Sequence, residues 1–301
     1  MKKSVGILSG LAVAIAIAAT AGAWYTGERL PAELEYSVNR SNAELKKALV
    51  GVGGSMTVEL VSLERHFFSS TAQYRLTAKD INLGDGEAVN FEVGMTDQVE
   101  HGPFPWSRVK ALKLMPVLAV SNSTLVKDAF TAPWFAAAGE QSPVSAQTSL
   151  GYGGSVDSTV LLAPAKVTET DGNSLDFSGM QLHVSGDREG KATQFQGSAE
   201  RFEMKVVRDD QPPATFELKG LKVGGDLAAT KHDAIYVGNV DLSLAETKVT
   251  LGPKQQVLLI KGFEQNAVQA LDGPDTVGGR VDYKLADITW DGRAVGNAQL
   301  A

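Results

Sequence analysis

The chain has 301 residues, 43% apolar and 21% charged, enough for one large or two smaller cores, so disorder is not indicated. Setting Lys2 and Lys3 aside leaves 26 basic against 35 acidic residues, a formal charge of −9; such a body repels nucleic acid and anionic headgroups at long range and speaks against peripheral binding through a basic patch. There is no cysteine, which excludes disulfides, a thiolate nucleophile, sulfur-ligated metal and a lipidated cysteine, and favours extended sheet over small stapled modules.

The first element is apolar. Lys2 and Lys3 precede 24 uncharged residues, Ser4 to Gly27, which as a helix would span about 36 Å against a hydrocarbon core of roughly 30 Å. Two readings compete. A cleaved secretory signal would use Ile7–Ala19 as its apolar core, with small residues at Ala19, Ala21 and Ala23 for cleavage. A retained anchor fits better, because the run continues past that core and ends on Trp24-Tyr25, where interfacial aromatics belong. The two lysines then stay cytoplasmic and the bulk lies across the bacterial inner membrane, in the periplasm. Gly6, Gly10, Ala14, Ala18 and Gly22 recur every fourth residue, a small-residue face of the kind that pairs two helices in a homodimer, although an Ala/Gly-rich segment also produces this spacing by composition alone.

Pro31 marks a helix start, and Leu34, Val38, Leu45 and Leu49 predict a stalk or docking helix over 28–50 that Gly51-Val-Gly-Gly-Ser55 ends. Alternation then changes to period two. Met56, Val58, Leu60 followed by Val61 and Leu63 read as a strand with one slip; Tyr74, Leu76, Ala78 and Val89, Phe91, Val93, Met95 read as the next two. Short helices are expected near Trp106–Leu112 and over Lys127–Ala138, the latter interrupted or kinked at Pro133. From Gln141 onward the chain reads as strand and turn. The turn signals include Gly153-Gly154, Asp171-Gly172-Asn173, Asp187 to Gly190, Pro212-Pro213, Gly224-Gly225, Gly252-Pro253, Asp272-Gly273-Pro274 and Asp291-Gly292. Gly179, Gly220, Gly238 and Gly262 each interrupt apolar alternation without a fixed period, which argues against a solenoid and for a meander bent or bulged at glycine.

The expected fold is mainly β with minor α, a curved antiparallel sheet meander with few short helices preceded by one N-terminal transmembrane helix. Its divisions are an anchor (1–27), a stalk helix (28–50) and a β-rich periplasmic domain (51–301). Helix is too scarce to cover the whole apolar face of such a sheet, so a second sheet or a ligand is expected to cover the rest.

Candidate chemistry is sparse. His66, His101, His183 and His232 show no zinc spacing, Gly51 to Gly54 lacks a following Lys-Ser/Thr, and there is no Gly-x-Ser-x-Gly elbow. No metal, cofactor or catalytic residue is assigned. The most distinctive local sequence is His101-Gly-Pro-Phe-Pro-Trp106, whose candidate ligand or partner residues are His101, Phe104 and Trp106; the plainer reading is a rigid corner that plugs one end of the sheet, with a cis Phe104–Pro105 bond.

Five segments together resemble the YdgA-type family of bacterial proteins: Gly22-Ala-Trp-Tyr-Thr-Gly27, Phe67-Phe-Ser-Ser70, His101-Gly-Pro-Phe-Pro105, Leu150-Gly-Tyr152 and Gly186-Asp-Arg-Glu-Gly-Lys191. The resemblance implies an inner-membrane anchor, a large periplasmic β-rich body and no established biochemical function. It also implies a chain continuing beyond the equivalent of Ala301, so a shortened form or a piece of a longer protein is expected. The leading functional expectation is a non-enzymatic envelope protein that binds lipid or another apolar ligand on its curved sheet. The alternatives are a dimeric scaffold presenting the Phe104/Trp106 corner to an envelope partner and, third, an envelope hydrolase that would need Glu100, His101 and an aspartate to converge.

Overall fold

The computed structural model describes residues 30–49, 53–66, 68–82, 88–208, 211–232, 235–273 and 276–300. The expected anchor, with Gly6, Gly10, Ala14, Ala18 and Gly22, lies outside these residues. Among the described residues no helix is long and apolar enough to cross a membrane. The chain divides into two compact units, residues 1–136 with 141–162, and residues 137–140 with 163–301.

The first unit is an antiparallel meander of β1 (Ser55–Arg65), β2 (Ser69–Asn82), β3 (Ala88–His101), β4 (Ala119–Leu125), β5 (Val144–Leu150) and β6 (Ser155–Leu162), each paired with the next. Period-two alternation puts Ala72, Tyr74, Leu76 and Ala78 of β2 on the same buried face as Val93, Met95 and Val99 of β3. The expected slip in β1 is present: the register shifts between Leu60 and Ser62, which leaves Val61 exposed. Helix α1 (Leu30–Ala48) buries Leu34, Ser37, Ser41 and Leu45. The spacing is that of a helix face, but small serines stand at its centre where Val38 was expected; Val38 is only half-buried. The Asn42 amide donates to the Val58 carbonyl (2.9 Å) and accepts the Val58 N–H (2.7 Å). It thereby occupies a residue of the β1 edge as a strand partner would.

Two short helices lie in the connections of this unit, α2 (Trp106–Lys110) and α3 (Ala132–Ala137). Lys127–Ala138 is therefore not one kinked helix. The Asp128 carboxylate accepts the N–H groups of Phe130 and Thr131, and Thr131 Oγ1 donates to the Val126 carbonyl; these bonds build a turn instead. Pro133 then falls in the first turn of α3, where its missing N–H costs nothing.

The second unit opens with a hairpin of β7 (Ala165–Thr168) and β8 (Ser174–Phe177), then runs β9 (Met180–Asp187), β10 (Ala192–Arg208), β11 (Gln211–Ala229), β12 (Tyr236–Leu251), β13 (Gln256–Leu271), β14 (Val277–Trp290) and β15 (Arg293–Leu300). From β9 each strand pairs antiparallel with the next, and β8 shares an edge of β10 with β9. Two expected turns lie inside β11. Pro212-Pro213 sits at its start, and Gly224-Gly225 sits mid-strand because the Phe195 ring lies over Gly225, where a Cβ would approach it to 2.7 Å.

Gly220 and Gly262 do bend the sheet, at φ +64° and +63°. Pairing is kept on both sides of each, Lys219 with Glu246 and Lys222 with Ser243, then Glu246 with Lys261 and Leu244 with Phe263, so no residue is inserted and neither is a bulge. A Cβ on either glycine would meet that of Ala245 or Ala286 at 2.8–2.9 Å. Small residues thus form a crease across adjacent strands. Along each strand the apolar sequence changes phase there, from Leu218 to Leu221 and from Ile260 to Phe263.

Candidate functional site

The second unit's two faces differ in chemistry. Register places Val184, Phe195, Gly225, Val240, Ala267 and Val281 in one row, and Leu244, Phe263 and Leu285 in another. Nearer the other ends of the strands, Phe177, Phe202, Leu218, Ile260 and Ile288 share a row, with Phe202 edge-on to both Phe177 and Phe216. A Cβ at Gly197 would touch Met180, Leu182 and Val223, so these side chains share that apolar face. Among the described residues of β7–β15 only Ala199 is buried; the rest of the apolar face is half-buried or exposed.

The opposite face is laced with ion pairs, Lys219 to Glu246 at 2.8 Å, Lys248 to Glu217 at 2.6 Å and Arg201 to Asp176 at 2.8 Å. These pairs are largely solvated and contribute little to stability. A cavity of 740 Å³ opens there, lined by His183, Gln196, Lys222, Asp241, Glu264 and Asn266 among others. Asp241 accepts from Asn239 (3.0 Å) and Asn266 (2.5 Å), while Lys284 donates to Glu264 (3.2 Å). Among the described residues no group of three or more His, Asp or Glu side chains is placed to hold a metal ion.

The His101–Trp106 corner belongs to the first unit. His101 ends β3 with Nε2 3.0 Å from Ser70 Oγ, and the Glu100 carboxylate accepts the Ser107 N–H at 2.8 Å, so the two neighbours take separate partners. Gly102 N donates to the Leu118 carbonyl and Val117 N to the Pro103 carbonyl, which pins the loop at both ends. The cis bond is Gly102–Pro103, one step earlier than the expected Phe104–Pro105. Pro105 is buried, yet Phe104 and Trp106 are 57% and 63% exposed. The corner thus buries Pro105 and turns both aromatic rings outward, and Lys110 Nζ lies 5.5 Å from the centroid of the Trp106 ring.

One cluster was not picked out from the sequence. Asp97 is 2% exposed on the buried face and accepts hydroxyl bonds at one oxygen from Ser121 (2.6 Å) and Ser123 (3.1 Å). Burial outweighs these bonds and holds its carboxyl at about 6. Tyr74, buried on the same face with its hydroxyl unpartnered, is pushed well above the usual phenol range by burial and then by the Asp97 charge.

Residues 1–301 match the family described as "Bacterial protein of unknown function (DUF945)". The chain belongs to this family. Aligned over all of its length, it is 30% identical to Protein YdgA of Escherichia coli K12, of which it covers 59%, and over 60% of its length it is 33% identical to the uncharacterized protein YihF of the same organism, covering 36% of that chain. It is 25% identical, over 92% of its length, to an uncharacterized protein of Haemophilus influenzae, of which it covers 75%. The chain thus spans little more than half the length of its YdgA relative. No solved structure matches it.

Proposed function

We propose that this protein is held in the bacterial inner membrane by residues 1–27 and acts without catalysis in the periplasm, its second unit offering the apolar face of a creased sheet to lipid acyl chains. One observation carries the reading: rows of Leu, Val, Phe and Ile run across β9–β14, yet Ala199 is the one buried side chain among the described residues of β7–β15. Half-exposed rows of this extent exceed what a soluble surface ordinarily carries and mark a surface that is covered in use. Acyl chains fit because these rows are mainly apolar, interrupted by Thr247 between Leu218 and Ile260 and by Gln265 beside Leu242, while the ion pairs lie on the other face.

The test is purification of the full chain in mild detergent, then native mass spectrometry and lipid extraction, with a photoreactive phenylalanine at Phe263. Phospholipid masses co-purifying at about one or more per chain, and crosslinks from position 263 to lipid, are the expected result. A chain free of lipid with a silent probe overturns the reading. Resistance of the chain to alkaline carbonate extraction separately checks retention of residues 1–27.

A further inference from the structure

The first unit carries a second apolar surface, at one end of its sheet. Ten large apolar side chains are more than half exposed among the described residues, and seven of them stand in three connections: Phe68, Phe104, Trp106, Leu112, Leu114, Met115 and Tyr152. These connections join β1 to β2, β3 to β4 and β5 to β6, so the up-and-down order puts all three at the same end. Backbone bonds run through them in series, His101 N to the Phe68 carbonyl, Gly102 N to Leu118, Leu118 N to Leu150 and Gly151 N to Ser155. The patch is therefore held on a fixed frame.

Its charge is the reverse of the body's. From His101 to Lys127 there is no acidic residue, whereas Arg108, Lys110 and Lys113 lie among the exposed apolar side chains and Arg65 ends the adjoining β1. Of the nearby acids, Glu100 is engaged by the Ser107 N–H, while Glu64 on β1 and Asp157 on β6, across from Ser149, are exposed. Lys110 and Lys113 are exposed, while Arg108 is folded back onto Ser149 and the Met115 carbonyl.

Direction supplies the last observation. Asn42 faces Val58, and the short link from Ala48 to Ser55 sends the chain back, so α1 runs antiparallel along β1. From Asn42 back to Leu30 is about 18 Å of helix, and from Val58 on to Arg65 about 23 Å of strand. The start of α1, where the segment read as the anchor enters, thus lies toward the end that bears the patch.

We propose that this end of the first unit docks on the surface of an anionic bilayer, with Trp106, Phe104, Leu112, Leu114 and Met115 entering the headgroup boundary and Lys110 and Lys113 resting on phosphates. Aromatic and aliphatic side chains with interleaved lysines match the chemistry of that interface. Docking would fix the body against the membrane from which the acyl chains of the proposed function come; it rests on the anchored reading for its geometry but not for its test.

The chain contains no cysteine, so Leu114→Cys and, as a reference in the β4–β5 connection at the other end of the same unit, Ala129→Cys can each carry a polarity-sensitive fluorophore on the full chain, reconstituted in vesicles of phosphatidylglycerol with phosphatidylcholine or of phosphatidylcholine alone. The expected result is blue-shifted emission at position 114, quenched by lipid-borne quencher, in the phosphatidylglycerol vesicles, with position 129 remaining wet. Lys110→Gln with Lys113→Gln should shift the buried-to-wet ratio at 114 about 30-fold toward water, roughly fivefold per lysine, in anionic vesicles only. A wet position 114 in carbonate-resistant protein overturns docking while leaving the anchor intact; burial at 114 in a chain that carbonate releases sustains docking without the anchor. Burial that is equal in uncharged vesicles, or that needs another protein, overturns the proposal.

Discussion

Gly102→Ala is expected to destabilise the first unit by roughly 3–5 kcal/mol, an effect far above that of an ordinary surface substitution. A Cβ at this position would lie 2.0 Å from the Val117 carbonyl oxygen and 2.6 Å from that of Leu118, and both obstacles are backbone. Relief requires separating 102–103 from 117–118, which breaks the Gly102 N to Leu118 and Val117 N to Pro103 bonds. It also withdraws Leu118 from its cluster with Leu150 and Val156. A useful reference is Gly139→Ala: Gly139 has φ +67° and open space where the Cβ would go, so only the left-handed backbone is penalised, by about 1–2 kcal/mol. Urea denaturation followed by limited proteolysis within 104–115 reads both variants. Equal midpoints for the two would show that the loop can yield, and would remove the rigid frame on which the docking surface depends.

Most of the fold could be read from the chain because period-two alternation survives wherever one face is buried, as in β2 and β3. The slip after Leu60 was visible as two adjacent apolar residues, and the bends at Gly220 and Gly262 as glycines within alternation. Gly224-Gly225 and Pro212-Pro213 misled because turn chemistry and strand chemistry overlap: a glycine can serve the approach of a ring from the next strand, here Phe195, as well as a reversal. The corner was identified by composition, but whether Phe104 and Trp106 pointed inward or outward depended on the bracket formed with Val117 and Leu118, fifteen residues away in sequence and invisible to local pattern. The same holds for the basic character of that end. Net charge described the whole chain, and only folding assembles three connections into one surface whose sign differs from the average.

Asp97 could have been noticed, since it interrupts the apolar face Val93, Met95, Val99, but its consequence depends on burial. Its carboxyl titrates near 6 in the folded protein and at about 3.8 in the unfolded chain, chiefly through desolvation. Between those values the folded state holds the proton and the unfolded state does not, so this group's contribution improves as pH falls from 6 to 4 and is fully unfavourable above 6. Asp187 and Glu246, whose carboxyls are lowered, act in the opposite sense, so the measurement that isolates Asp97 is the difference between the wild type and Asp97→Asn. Asparagine keeps an acceptor for the Ser121 and Ser123 hydroxyls without a charge to desolvate. The variant is expected to gain about 2–3 kcal/mol over the wild type at pH 7.5 and little at pH 4. A gain of the same size at both pH values would mean that packing, not the proton, distinguishes the two. No gain at pH 7.5 would mean that the two serines and the Asn122 N–H already compensate the buried charge in full.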